Sequence, residues 1–462
     1  MKLKEKVITT INPTTGKEIS NHEYISNEEV EKTVKRCHDA FTKWKHFSLE
    51  ERADKIKAVG KSLQEHKTEI AELMTKEMGK LLSQSEHEVD LCTAICEYTA
   101  EHGPEELKNE KRTLPDGDKG IVSYSPIGVI YGIQPWNYPS YQVVRYAIAN
   151  LMAGNGILLK HASNVTGTGK LLERVFAAAG LPEYLFSTLV ITHEQSDAII
   201  KNDYVRGITL TGSSAAGKNI GEKAGAVLKK TVLELGSNDA YIVLEDADLE
   251  LAVEMCVKGR IYNNGETCIA AKRFIVVDKV YDKFKASFVS AMKALKVGDP
   301  MSSENDLGPI AREDLRKTLH EQVQESVDKG AEILCGGNIP EGEGFFYPAT
   351  ILANVKPGQP AYDDELFGPV ASLIKAEDEK DAMRIANDSR FGLGGGIFSK
   401  DIAKATELAE KHFDTGMIFI NTFGLASPSM PFGGVKNSGF GREHGGFGMK
   451  EFVNVKGITI GG

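Results

Sequence analysis

A chain of 462 residues is long enough to bury two or three domain cores without disulfide or metal staples. Charged residues make up 26% and the apolar set 41%, an ordinary globular balance that excludes a disordered or fibrous chain. The 55 Lys and Arg against 65 Asp and Glu leave a formal net charge of −10, the wrong sign for non-specific nucleic-acid binding, so no nucleic-acid partner is expected.

The opening MKLKEKVITTINP carries no apolar stretch after its lysines, and no run approaches the ~18 apolar residues of a membrane span. The six cysteines are sparse and form no CxxC pair. A cytoplasmic protein with free thiols is expected, with neither a membrane nor a metal ion as partner.

In chain order, the first hundred residues read as helical. Val30, Val34, Cys37, Phe41 and Trp44 recur at spacings of four and three, one helix face. Ser48 and Glu51 form a capping-box pattern opening a second helix, whose apolar marks are Ile56, Val59, Leu63 and Ile70. Cys92 and Cys96 lie one turn apart and read as packing residues. A polar stretch bearing Pro and Gly, 103–120, reads as a linker or exposed arm. Short β-branched runs then appear at 127–133, 156–159, 187–191, 207–211 and 231–235, most of them separated by helix-length segments. That alternation predicts a parallel, doubly wound sheet, with ligands bound beyond the carboxyl ends of its strands. A second α/β series, 240–244, 274–277, 331–334, 370–374, 395–398 and 417–421, places a domain boundary near 234–237; a helix is predicted over 310–329.

Four stretches carry candidate chemistry. Thr211-Gly-Ser-Ser-Ala-Ala-Gly-Lys218 follows a strand and comes close to a P-loop, but Asn219 stands where that loop needs a magnesium-binding hydroxyl. A plain glycine turn opening a helix is the competing reading, and such a turn still makes an anion site from its N–H groups. Cys268 has polar, turn-forming neighbours, unlike the other cysteines, which suits an accessible nucleophile. Glu234 closes an apolar strand, where burial would raise its pKa toward that of a useful base; a strand-end carboxylate facing solvent is the bland alternative. Asn137, between Pro135 and Pro139, offers an amide to a developing oxyanion on a rigid loop.

Taken together with Leu159–Ser163, Glu365–Pro369 and Pro431–Gly439, these stretches resemble the NAD(P)-dependent aldehyde dehydrogenases, in that family's order and across nearly the whole chain. The resemblance implies an α/β fold: a Rossmann-type cofactor domain (1–107 and 127–234), an α/β catalytic domain (235–447), and an oligomerisation arm and tail (108–126 and 448–462). It implies Cys268 as nucleophile, Asn137 as oxyanion donor and Glu234 as general base. Lys160 and Ser163 would lie by the adenosine ribose, Gly212 and Ser213 by the pyrophosphate, and Glu365 and Phe367 by the nicotinamide, with Trp136 and Leu235 also beside the cofactor.

Arg145, eight places after Asn137, matches the carboxylate-holding arginine of the succinate-semialdehyde dehydrogenases, and Ser427 joins it at the substrate. A second arginine found in some of those enzymes is Tyr262 here, and the bland reading of Arg145 is a helix-surface ion pair. Glu266 replaces a common glutamine, Ser237-Asn-Asp-Ala240 replaces a common Gly-Lys-Asn-Pro, and Ala270 leaves Cys268 without a neighbouring thiol. The motif Lys160-His-Ala-Ser163 lacks the glutamate of NAD-selective relatives, so NADP is expected to serve at least as well as NAD, aided by any charge on His161; Ser163 as a helix cap is the alternative. A small aldehyde is the expected substrate, and a homodimer or homotetramer the expected assembly.

Overall fold

A computed structural model of the protein describes residues 7–115 and 117–461. Residues 1–6, on which the reading of the leader partly rests, lie outside the described residues, as do Asp116 in the expected arm and Gly462 at the tip of the expected tail.

The chain opens with an antiparallel hairpin, Val7–Asn12 with Lys17–Glu23, that helical periodicity does not announce. Helices Asn27–Trp44, Leu49–Glu65, Lys67–Met78 and Leu82–Leu107 follow. Val30, Val34, Cys37, Phe41 and Trp44 all turn inward, as their spacing predicts. The capping box forms: Ser48 Oγ accepts the Glu51 N–H at 3.1 Å and the Glu51 carboxylate accepts the Ser48 N–H at 2.7 Å. Ile70 belongs to the next helix, because the chain breaks at His66.

Five parallel strands build the first sheet, in the spatial order Lys230–Glu234, Val205–Thr211, Val129–Gln134, Gly156–His161 and Phe186–Thr188. The strand order reverses at Val129–Gln134, so its carboxyl end is the switch point at which such sheets hold ligands. The second sheet has seven strands: Glu332–Cys335, Thr350–Ala353, Val370–Ala376, Arg273–Val277, Ala240–Val243, Gly395–Phe398 and Phe419–Ile420. All are parallel but Glu332–Cys335, and Thr350–Ala353 has no counterpart in the sequence reading. A third, antiparallel sheet joins Glu110–Thr113, Lys119–Pro126 and the C-terminal Val453–Ile460.

One late segment pairs with the first sheet. Gly439–Phe440, inside 235–447, pairs antiparallel with Lys230–Glu234, setting Gly439 opposite Glu234. The chain thus returns to the edge of the first sheet and lays the stretch from Pro431 to His444 over the end of the strand that carries Glu234. Local patterning is blind to such a return, which is a contact between positions about two hundred residues apart.

Candidate active site

The nucleophile candidate is presented by an unusual piece of backbone. Asn263, Asn264 and Gly265 take φ values of 56°, 57° and 74°, three left-handed residues in a row. Asn and Gly tolerate that region best, which explains the local composition. The turn is tied down by its own side chains: Asn264 Nδ2 donates to the carbonyls of Gly79 and Pro309, both at 3.0 Å, and its Oδ1 accepts the Gly308 N–H at 2.8 Å. Asn263 Nδ2 donates to the carbonyls of Asn137 at 2.9 Å and Glu266 at 3.0 Å. The chain leaves this turn through the buried Glu266, whose Oε1 accepts the Ala311 N–H at 3.1 Å, and arrives at Cys268.

Cys268 is partly open to solvent, whereas Cys37, Cys92, Cys96 and Cys256 are buried. Lost hydration pushes its thiol up to about 12, while Lys272 and Arg145 pull toward the thiolate. Lys272 Nζ donates to the Cys268 carbonyl at 2.5 Å and lies 3.2 Å from the Glu365 carboxylate, tying the nucleophile's backbone to a residue of the expected nicotinamide end.

Asn137 comes from the first sheet, just past the end of Val129–Gln134. Its Nδ2 donates to the Glu266 carbonyl at 3.1 Å, leaving its second N–H for an oxygen developing near Cys268. Glu234 is 2% exposed and neither carboxylate oxygen has a hydrogen-bond partner among the described residues. Burial first, and then the nearby Glu443 carboxylate, push it well above the usual carboxylate range. A strand-end glutamate facing water is therefore not what forms. Gly433 permits this fit, since a Cβ there would stand 2.8 Å from Glu234 Oε1.

Arg145 lies on helix Tyr141–Ala153, behind Tyr141. Its guanidinium is fully buried and ion-paired with Glu443, and it donates to Thr211 Oγ1 at 3.0 Å. The rings of Tyr141 and Phe432, which line the pocket at Cys268, lie 5.1 and 4.7 Å from its guanidinium. Its ion pair with Glu443 is buried and not the helix-surface pair of the bland reading. Ser427 is exposed, with its Oγ 3.1 Å from that of Ser429, one residue beyond the pocket wall at Ala426.

A cleft of about 630 Å³ opens at the switch point, lined by Ile133, Gln134, Lys160, Ser163, Thr211 and Gly212 among others. Its volume and its position fit a dinucleotide. Ser213 caps helix Ser214–Gly225 by accepting the Ala216 N–H at 3.2 Å. Because that helix begins at Ser214, Gly217 lies inside it, packed so closely on Leu235 that a Cβ would come within 2.5 Å. The long phosphate loop of a P-loop therefore does not form. Burial lowers the Lys160 pKa, and the exposed Ser163 hydroxyl makes no cap, because helix Thr166–Ala178 has no side-chain cap. His161 adds no charge: burial pushes it down to about 4, its Nε2 donates to the Pro139 carbonyl at 2.9 Å, and its Nδ1 accepts the Ala162 N–H at 3.0 Å. At the other end Trp136 and Phe367 meet edge to face, ring centroids 5.7 Å apart, and Glu365 accepts the Ser237 N–H at 3.0 Å. A Cβ on Gly236 would stand 2.3 Å from the other Glu365 oxygen.

The candidate site thus comprises a partly open thiol ahead of the second sheet, an amide and a buried carboxylate at strand ends of the first, and a dinucleotide-sized cleft. Comparison with known proteins agrees with that chemistry: residues 1–458 match the aldehyde dehydrogenase family, and the chain belongs to it. It is 43% identical to the succinate semialdehyde dehydrogenase [NAD(P)+] Sad of Escherichia coli, covering 97% of this chain and 96% of that protein. It is 41% identical to the succinate-semialdehyde dehydrogenase [NADP(+)] of Deinococcus radiodurans, covering 98% and 94%. The crystal structure of succinic semialdehyde dehydrogenase from Streptococcus pyogenes in complex with NADP+ superposes with a TM-score of 0.96 at 37% identity, over 98% of this chain and 99% of that one.

Sequence reasoning missed Glu443, Lys272 and Asn263. Asn263 had a signal, the Asn-Asn-Gly run. Glu443 and Lys272 act through contacts that only the folded chain creates.

Proposed function

We propose that the protein oxidises succinate semialdehyde to succinate and accepts NADP at least as readily as NAD. The observations that support the reaction are the partly open Cys268, two residues after the Glu266 carbonyl that Asn137 binds, and the buried, unpartnered Glu234. The substrate follows from the relatives above, which bear that name over nearly their full length.

In this reading the Cys268 thiolate attacks the aldehyde carbon, and the oxyanion is held by the Asn137 side chain and the Cys268 backbone N–H. The nicotinamide cofactor supplies the hydride acceptor. Cys268 is left as a thioester. Glu234, once deprotonated, takes a proton from water, whose oxygen attacks the thioester carbon and releases the carboxylate and the thiol. Lys160, Ser163, Gly212, Ser213, Glu365 and Phe367 would hold the cofactor, with Trp136 and Leu235 shaping the cleft.

Cofactor choice rests on Ser163. Its free hydroxyl and the neighbouring Lys160 suit a 2′-phosphate, and no carboxylate stands at 163 to repel one. Ser163→Glu should shift the NADP/NAD ratio of kcat/KM toward NAD by about tenfold, the scale of one charge-assisted hydrogen bond. An unchanged ratio contradicts the assignment.

The assembly proposed is a homo-oligomer, with the outer strand Val453–Ile460 at the interface, since Val455, Ile458 and Ile460 are exposed apolar residues on it. The deciding experiment for the substrate compares kcat/KM for succinate semialdehyde and butanal, with succinate formed in step with NADPH. A clear preference for the semialdehyde supports the reading, and equal use of both aldehydes contradicts it.

A further inference from the structure

A phosphate on the adenosine ribose is a phosphomonoester, with about two negative charges near neutral pH. Lys160 alone cannot balance it, and burial already works against the charge on that lysine. The cleft at the switch point has one further arginine or lysine among its described lining residues, Arg312, with Glu194 the carboxylate among them. The same lining includes Ser163, Thr192 and Gly212 but not Trp136, Glu365 or Phe367, so it is the adenosine half of the cleft that Arg312 borders. Arg312 stands outside every motif of the sequence.

Arg312 and Ser163 emerge from the same small apolar cluster. Ala311, just before the arginine, belongs to it together with Ala162 and Val165, which lie on either side of Ser163. The backbone there is fixed, since the Ala311 N–H donates to Glu266 Oε1 at 3.1 Å. The arginine side chain is held less firmly. Its guanidinium is partly exposed and rests on Asp314, in the first turn of helix Glu313–Asp328, with Nε donating to Oδ1 at 2.9 Å and Nη2 to Oδ2. The Asp314 side chain is 64% exposed, and an ion pair this open contributes little, so it yields to a partner that carries more charge. A phosphate is such a partner, and the guanidinium fork matches two of its oxygens at once.

We propose that Arg312 is the second cation for the 2′-phosphate of NADP, turning from Asp314 to pair with it beside Lys160 and Ser163. This rests on the reading of the cleft as the cofactor site and of NADP as a cofactor that the protein uses. NAD has only a hydroxyl at that position and offers the arginine no charge, so Arg312 acts on the choice between the two cofactors and takes no part in the chemistry at Cys268. Arg312→Gln removes the charge and keeps a polar side chain. Arg312→Lys keeps the charge without the fork, and Asp314→Asn releases the arginine from its competing partner.

The test titrates NADP, NAD, 2′,5′-ADP and 5′-AMP into wild type and the three variants by calorimetry, with no aldehyde present. Arg312→Gln should weaken NADP and 2′,5′-ADP by about tenfold and leave NAD and 5′-AMP within about twofold. Arg312→Lys should fall between it and wild type, and Asp314→Asn should tighten NADP by about two- to threefold. Added salt should weaken NADP more than NAD in wild type, and that difference should shrink in Arg312→Gln. Equal weakening of NADP and NAD overturns the inference, because it sets the arginine at the pyrophosphate or in the walls alone. A wild type that binds NADP, with affinity unchanged in Arg312→Gln, overturns it too and leaves the cofactor reading standing. A wild type that binds NAD but not NADP defeats the cofactor reading, and the inference with it.

Discussion

Glu234 is held in a state that the fold resists charging. Its folded pKa lies above its unfolded value, so its stabilising contribution is present at low pH and is lost as pH rises through the folded value. Glu234→Gln, neutral at every pH, should therefore raise Tm, and the gain should widen as pH rises above the ordinary carboxylate range. Equal Tm at every pH would mean the carboxylate is solvated. Cys268 follows a related rule on a different readout. With the thiol pushed up to about 12, alkylation of the free enzyme should still climb about tenfold per pH unit between about 8 and 10, past the point where an ordinary thiol levels off. A plateau near pH 9 would count against this. Arg145→Ala should depress turnover of every aldehyde and cost about 3–5 kcal/mol, since it strands Glu443 as a buried unpaired charge beside Glu234. Loss confined to succinate semialdehyde would instead place the arginine at the substrate carboxylate. The types of the three central residues were legible from sequence. Arg145's commitment was not, because its partner Glu443 lies almost three hundred positions away.

Elements set the geometry that these residues use. The left-handed run at Asn263, Asn264 and Gly265 turns the chain so that Cys268 meets Asn137, and it tolerates little change. A Cβ on Gly265 would stand 2.4 Å from the backbone of Gly368, so Gly265→Ala combines a strained φ with a backbone clash. It should cost several-fold in kcat as well as stability, read by turnover and by thermal melting; wild-type behaviour in both would show that the turn is not needed. Strands buried on both faces announced themselves through β-branched runs, and Ser48 with Glu51 announced a helix start, because those signals are local. The hairpin Val7–Asn12 with Lys17–Glu23 is half exposed and polar on much of its length, and Thr350–Ala353 spans four residues behind a proline, so neither carries enough apolar pattern to be separated from loop.

At the scale of the whole molecule, the candidate site draws on two sheets and a returning C-terminal segment. Cys268 precedes the strand Arg273–Val277 of the second sheet, Glu234 ends a strand of the first, and Pro431–His444 covers them both. The alternation of strands and helices foretold two sheets; the return of Gly439–Phe440 to the first was beyond any local pattern. The antiparallel sheet of arm and tail leaves Val455 and Ile458 exposed, and charging both with glutamate should lower the sedimenting mass, while an unchanged mass would place the interface elsewhere. The central claim is that residues carried by the two sheets divide one reaction, Cys268 forming the thioester and Glu234 serving only its hydrolysis. Rapid mixing of Glu234→Gln with succinate semialdehyde and NADP tests it most directly. A burst of NADPH close to one per active site, followed by steady turnover about a hundredfold or more below wild type, is the expected result. Steady turnover at the wild-type rate, with no burst, would contradict it.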